Sequence, residues 1–136
     1  MAAVTQAHTL SATVITSSTV EPTDPFASVA APVGRLSLGT EWLNAHAVRI
    51  VVAGEVDASN FTELADYIFR RAANSRRLVL DLRRVEFFGT AGVNVVSMVN
   101  ARCTHANVEW TLLANPMVTR VLRMCELHFK EPVVAA

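Results

Sequence analysis

The sequence is short of several things, and each shortage closes a class of function. Lysine occurs once, at Lys130, and no basic residue precedes Arg35. Twelve basic residues balance twelve acidic ones, which removes the excess positive charge that a generic grip on nucleic acid or an anionic membrane needs. The two cysteines, Cys103 and Cys125, are too few for a disulfide framework, and no CxxC or Cys/His cluster offers a zinc site. No apolar run is long enough to span a bilayer. Ser and Thr break the early apolar stretches, and the positive charge that opens a signal peptide is missing. The expectation is a soluble cytoplasmic protein with no nucleic-acid or membrane partner. Catalytic signatures are absent too: there is no Gly-x-Ser-x-Gly elbow, Walker A loop or HExxH. His8, His46, His105 and His128 are scattered without ligand spacing, and Glu55 and Asp57 have no partner nucleophile. Neither an enzyme nor a metal or cofactor is expected. The doublets Arg70-Arg71, Arg76-Arg77 and Arg83-Arg84 flank strand ends and read as solvated charge.

What is present suffices for one core. The chain has 136 residues, 51% of them hydrophobic, which is the size and composition of a single folded domain. Residues 1–34 stand apart. They are rich in Ala, Ser, Thr and Val, contain no Lys or Arg, and end among scattered prolines. They read as a flexible extension in which ATVIT is one stretch able to form a strand. Residues 35–136 read as the domain.

RLSLGTEWL and VRIVVAG, joined through Asn44-Ala45-His46, read as the strands of a hairpin. The polar GEVDASN follows, where Asp57, Ser59 or Asn60 can cap a helix running to about Asn74. Phe61, Leu64, Ala65, Ile68 and Ala72 give that helix one buried stripe. LVLDL is a short strand, and FFGTA leads into a second helix with Gly92, Val95, Val96, Val99 and Cys103 on one face. VEWTLLA is a further strand. Asn115 caps a third helix that starts on Pro116 and buries Val118, Val121, Leu122 and Cys125. The order β-β-α-β-α-β-α implies an α/β fold: a small mixed sheet, parallel except for one antiparallel edge, packed with α-helices.

The junction FFGTAG, Phe87 to Gly92, is the most informative short stretch. A strand hands over to a helix there, and open α/β sheets build sites at that edge. The helix start favours an anion. Gly89 and Ala91 leave the Thr90 hydroxyl without bulky cover. Thr90 is therefore a candidate phosphorylation site, where nearly two added negative charges suit the helix end and change any interface. The same pattern also suits plain packing, with Thr90 as a helix cap and small neighbours for a close approach.

GEVD at 54–57, RRLVLDLRRVEFFGTAGV at 76–93 and LLANPMVTRVLRMCEL at 112–127, in that order and spacing, resemble a STAS domain, the fold of bacterial anti-sigma factor antagonists. The resemblance implies a small sheet packed against helices and a role in partner switching. In that family an unphosphorylated antagonist captures an anti-sigma factor, often a serine/threonine kinase, and so frees a sigma factor; phosphorylation by the kinase switches the antagonist off. The family's phosphoacceptor motif resembles Asp-Ser-Ser/Thr-Gly. Here Gly89-Thr90-Ala91-Gly92 keeps the hydroxyl and lacks the aspartate. The resemblance implies a partner contact at Asp57 beside Thr90, so the region around Asp57, Gly89 and Thr90 is the expected docking site, and Asn94, Ser97 and Met98 on the exposed face of the second helix can complete it.

Two other modes stay open in the sequence. A STAS domain that senses a nucleotide or other small ligand offers the same helix start as an anion site. A redox-gated antagonist would use Cys103 and Cys125, although both fall on stripes that read as buried packing. The chain stops soon after the third helix, at EPVVAA, where family members commonly continue into a final helix. An open sheet face is expected there, covered by a partner or by a weak homodimer.

Overall fold

The computed structural model describes residues 9–10, 13–16, 35–125, 128–129 and 134–135. The strands are β1 (Thr9–Leu10), β2 (Thr13–Thr16), β3 (Leu36–Asn44), β4 (Ala47–Val56), β5 (Arg77–Phe88), β6 (Glu109–Ala114), β7 (His128–Phe129) and β8 (Val134–Ala135). The helices are α1 (Phe61–Ala72), α2 (Thr90–Ala106) and α3 (Pro116–Met124). From β3 to α3 the order is the expected β-β-α-β-α-β-α. Among the described residues no helix is long and apolar enough to cross a membrane.

A six-stranded sheet runs in the order β3-β4-β5-β6-β2-β8. β3 and β4 are antiparallel because only Ala45 and His46 join them, and the Asn44 side-chain oxygen accepts the His46 N–H at 2.7 Å to close that turn. β4, β5 and β6 are parallel, as strands separated by helical crossovers must be to share a direction. β2 is the β-branched stretch within the expected extension, and it lies parallel to β6. β1 pairs with β7, and β8 pairs with β2. The rest of residues 1–34 lies outside the described residues. So does most of the chain beyond Cys125, where the open sheet face was expected.

Side chains alternate across a strand, so one face of the sheet gathers Val48, Ile50 and Val52 with Leu78, Leu80, Leu82 and Leu112. Leu64 and Ile68 of α1, Val95, Val96 and Val99 of α2, and Val118 and Leu122 of α3 close over it as one core. Each fully buried Leu or Ile contributes about 2 kcal/mol. The predicted α1 stripe is buried at Leu64, Ala65 and Ile68, with Phe61 and Ala72 partly covered.

The other face of β5 carries charge. Asp81 is 2% exposed. Its carboxylate accepts from Arg49 Nε and Nη2 at 3.2 and 2.7 Å, and from Arg83 Nε and Nη2 at 3.0 and 2.8 Å. It also accepts the Arg83 backbone N–H at 3.1 Å. Burial pushes its pKa up, but the hydrogen bonds from Arg83 and Arg49 outweigh that and hold it below the usual carboxylate value. Glu41 pairs with the far side of Arg49 at 3.0 Å. This network sits where the β4–β5 register first slips, between Val51 and Ala53; a second slip follows Gly54. Such bulges re-aim the side chains beyond them. Here Val85 and Phe88 are buried while Glu86 and Phe87 face out.

Candidate functional site

β4, β5 and β6 end on one edge of the sheet, and α1, α2 and α3 begin there. Val56 is the register partner of Phe88, and the Gly89 N–H donates to the Val56 carbonyl at 3.1 Å. That bond sets the loop beginning at Asp57 beside the start of α2, so Asp57, Gly89 and Thr90 share one edge.

Gly54 opens the first half of this edge. Its φ of +99° is one that glycine tolerates, and a Cβ there would collide with the Arg35 carbonyl oxygen. Beyond it the Arg35 guanidinium meets Glu55 at 2.8 Å. The Asp57 carboxylate accepts from the Ser59 hydroxyl at 2.6 Å and from the Ser59 N–H at 2.9 Å. These bonds, the hydroxyl's first, hold Asp57 below the usual carboxylate pKa. Helix capping is organised differently from the sequence expectation. Asn60 is the residue before α1, but its side chain makes no cap bond to the helix. It turns back instead, accepting the Asp57 N–H at 3.0 Å and donating to the Glu55 carbonyl at 2.8 Å. Asp57 and Asn60 spend their side chains on the loop because an Asx turn offers the same bonds locally.

The second half of the edge is the junction itself. Gly89 precedes α2 with φ −85° and ψ −174°, extended backbone open to any residue, and supplies no side-chain cap. A Cβ at Gly89 would lie 3.3 Å from the tip of the Phe87 ring. At Gly92 a Cβ would meet the Phe88 ring at 2.6 Å, so a glycine is what lets the first turn of α2 rest on that ring. Thr90 is the first helical residue and is exposed. Asn94 and Met98 follow at intervals of four on the same exposed face, and Ser97 is half-buried beside them. All the residues expected for docking therefore lie along the Asp57–Thr90 edge and the α2 face that continues from it.

Phe87 is an exposed apolar residue of this edge that sequence reasoning passed over. It is 51% exposed and leans into the space beside Gly89. Its signal was the Phe87-Phe88 doublet: consecutive strand residues point to opposite faces, so one of the two rings had to leave the core.

The cysteines lie elsewhere. Cys103 is buried in the second half of α2, where burial pushes its thiol up to about 11 and keeps it protonated at neutral pH. Cys125 is half-buried just after α3, and both thiols are free.

A protein-family model for the STAS domain matches residues 44–135. Osmosensory protein A of Mycobacterium tuberculosis is 30% identical over 81 residues, covering 60% of this chain and 51% of that protein; the chain thus spans about half the length of this relative. Among solved structures, an anti-sigma factor antagonist from Mycobacterium paratuberculosis superimposes with a TM-score of 0.61 at 21% identity, covering 71% of this chain and 84% of the other. The unphosphorylated form of the anti-sigma factor antagonist SpoIIAA gives 0.57 at 21% identity, covering 73% and 87%. At such identities these two structures establish a shared fold. With the family match running from the β3–β4 turn almost to the last residue, the conclusion is plain: the chain belongs to the STAS domain family.

Proposed function

We propose that this domain is an anti-sigma factor antagonist: it binds an anti-sigma factor, itself a serine/threonine kinase, and so releases a sigma factor for transcription. Docking uses Asp57, Phe87, Gly89 and Thr90 with the exposed Asn94–Met98 face of α2. The observation that carries this reading is Thr90 itself, an exposed hydroxyl at the first position of α2 between Gly89 and Ala91. The antagonists that share the fold support the class of partner.

The chemistry follows from the position. The kinase transfers the γ-phosphoryl group of ATP to the Thr90 hydroxyl oxygen, the hydroxyl proton passes to the kinase's base, and ADP leaves. The new phosphate meets the first N–H groups of α2, which have no partner within the helix, and the positive end of the helix dipole. Isolated Thr90 phosphate is thus well tolerated by the fold. At a partner interface it is not, because a dianion beside the ionised Asp57 repels acidic groups and resists desolvation. Gly89 brings no carboxylate of its own, so the unmodified surface is less acidic and more aromatic than an aspartate would make it.

The test is affinity capture from the native host with wild-type and Thr90→Glu baits in parallel. Recovery of an anti-sigma kinase by wild type alone is the expected result. Equal recovery on both baits removes Thr90 as the switch, and recovery of no anti-sigma factor on either overturns the antagonist role.

A further inference from the structure

Between the second halves of α1 and α2 lies a half-open, mostly apolar groove of about 210 Å³. Its floor is formed by Ile68, Val99 and Cys103, each buried. Ala72 and Ala106 line it as well, and their short side chains leave the gap between the helices unfilled. Its rim carries a single charged residue, Arg102, whose guanidinium carbon lies 4.3 Å from the centre of the Phe69 ring.

Size and polarity together define the ligand. A dry apolar cavity of roughly 150 Å³ is enough for a benzene-sized molecule. Sites for drug-sized ligands begin at about 300 Å³. This groove falls between, which suits a short alkyl chain or one aromatic ring. The floor offers no acceptor or donor beyond a protonated thiol, so the inserted part must be apolar. Arg102 supplies a planar cation held against a ring, the arrangement that recognises a carboxylate through paired hydrogen bonds.

We propose that this groove binds a small amphiphile, with an apolar tail lying along Phe69, Ala72, Cys103 and Ala106 and one carboxylate held by Arg102. Cys103 follows Thr90 by thirteen residues of α2, about 20 Å along the axis at 1.5 Å per residue. The ligand therefore occupies ground separate from the docking edge, and the site stands whether or not Thr90 is a switch.

Octanoate, octanol and octylamine share one tail and differ in charge, so they probe the assignment directly. Each is titrated into the full chain below its aggregation limit, with backbone amide shifts followed by NMR. Octanoate should bind saturably, shift the amides around Phe69, Ala72, Cys103 and Ala106, and bind about tenfold more tightly than octanol, with octylamine weakest. Arg102→Gln should erase the preference for octanoate while leaving octanol binding in place. Ala72→Leu should fill the groove and abolish both, and its unchanged fold is checked in the same spectra. Absent saturable binding, shifts centred elsewhere, or equal affinity for octanoate and octanol in the wild type would each overturn the proposal.

Discussion

Two helices start on the same sheet edge, each directly after a parallel strand, and they start differently. α3 follows Asn115, whose side-chain oxygen accepts the Val118 N–H at 2.9 Å. The amide of the same residue donates to the Arg83 and Val85 carbonyls at 3.1 and 2.8 Å, tying the helix to the bulged part of β5, and Pro116 fixes the first helical position. α2 follows Gly89, with no side-chain cap and an exposed hydroxyl immediately after it. A good cap is worth about 1 kcal/mol, and the extended backbone at Gly89 would accept a capping residue. The fold therefore secures one helix start fully and leaves the other open, at the edge proposed above for docking. One junction is built for stability, and the other carries the surface that the proposed function uses.

The largest expected effect comes from the support both junctions share. Asp81→Asn removes the carboxylate that Arg49 and Arg83 jointly surround on β5, and should cost about 3 kcal/mol in urea unfolding. The pH dependence has a definite sign. The folded pKa of Asp81 is depressed, so its stabilisation is fully present above the unfolded value near about 3.9 and is lost as pH falls through the lower, folded value. Unfolding midpoints measured downward from pH 6 should fall at the acid end in wild type, and this component should vanish in Asp81→Asn.

The next effect separates the junctions. Asn115→Ala should destabilise by about 2 kcal/mol, because a cap and two bonds to β5 carbonyls are lost together. Asn115→Ser, which restores only the cap acceptor, should recover about half of that in the same denaturation assay. Within the open junction the two glycines should behave in opposite ways. Gly92→Ala drives a Cβ into the Phe88 ring and should cost about 1–2 kcal/mol. Gly89→Asp needs only a shift of the exposed Phe87 ring and adds a cap, so it should stabilise by about 0.5 kcal/mol. If Gly89→Asp proves as damaging as Gly92→Ala, the open start is a packing requirement and the contrast between the two helices collapses.

Much of this was legible from residues that act locally. The stripe through Leu64 and Ile68, the Asn115-Pro116 start and the turn at Asn44 follow from periodicity, capping and turn chemistry, and the structure has all three. Gly89, Thr90 and Ala91 announced an uncovered hydroxyl for the same reason. What escaped depends on partners distant in sequence. Nothing in LVLDL says that its aspartate meets Arg49, thirty-two residues earlier. The doublet shows that one ring must turn out, but which one depends on how β4 pairs with β5, a long-range match that no window of sequence contains. The two glycines of GTAG look alike on paper; only the Phe88 ring beneath Gly92 tells them apart.

The central claim is that Thr90 is where the partner both docks and acts. The most direct measurement incubates the full chain with the captured anti-sigma kinase and Mg·ATP, maps the phosphate by mass spectrometry, and compares the kinase's affinity for the modified and unmodified chains. Phosphate on Thr90 with at least a tenfold loss of affinity, about 1.4 kcal/mol, is the predicted result. Phosphate on another residue, or a Thr90-phosphorylated chain that binds as tightly as before, would contradict it.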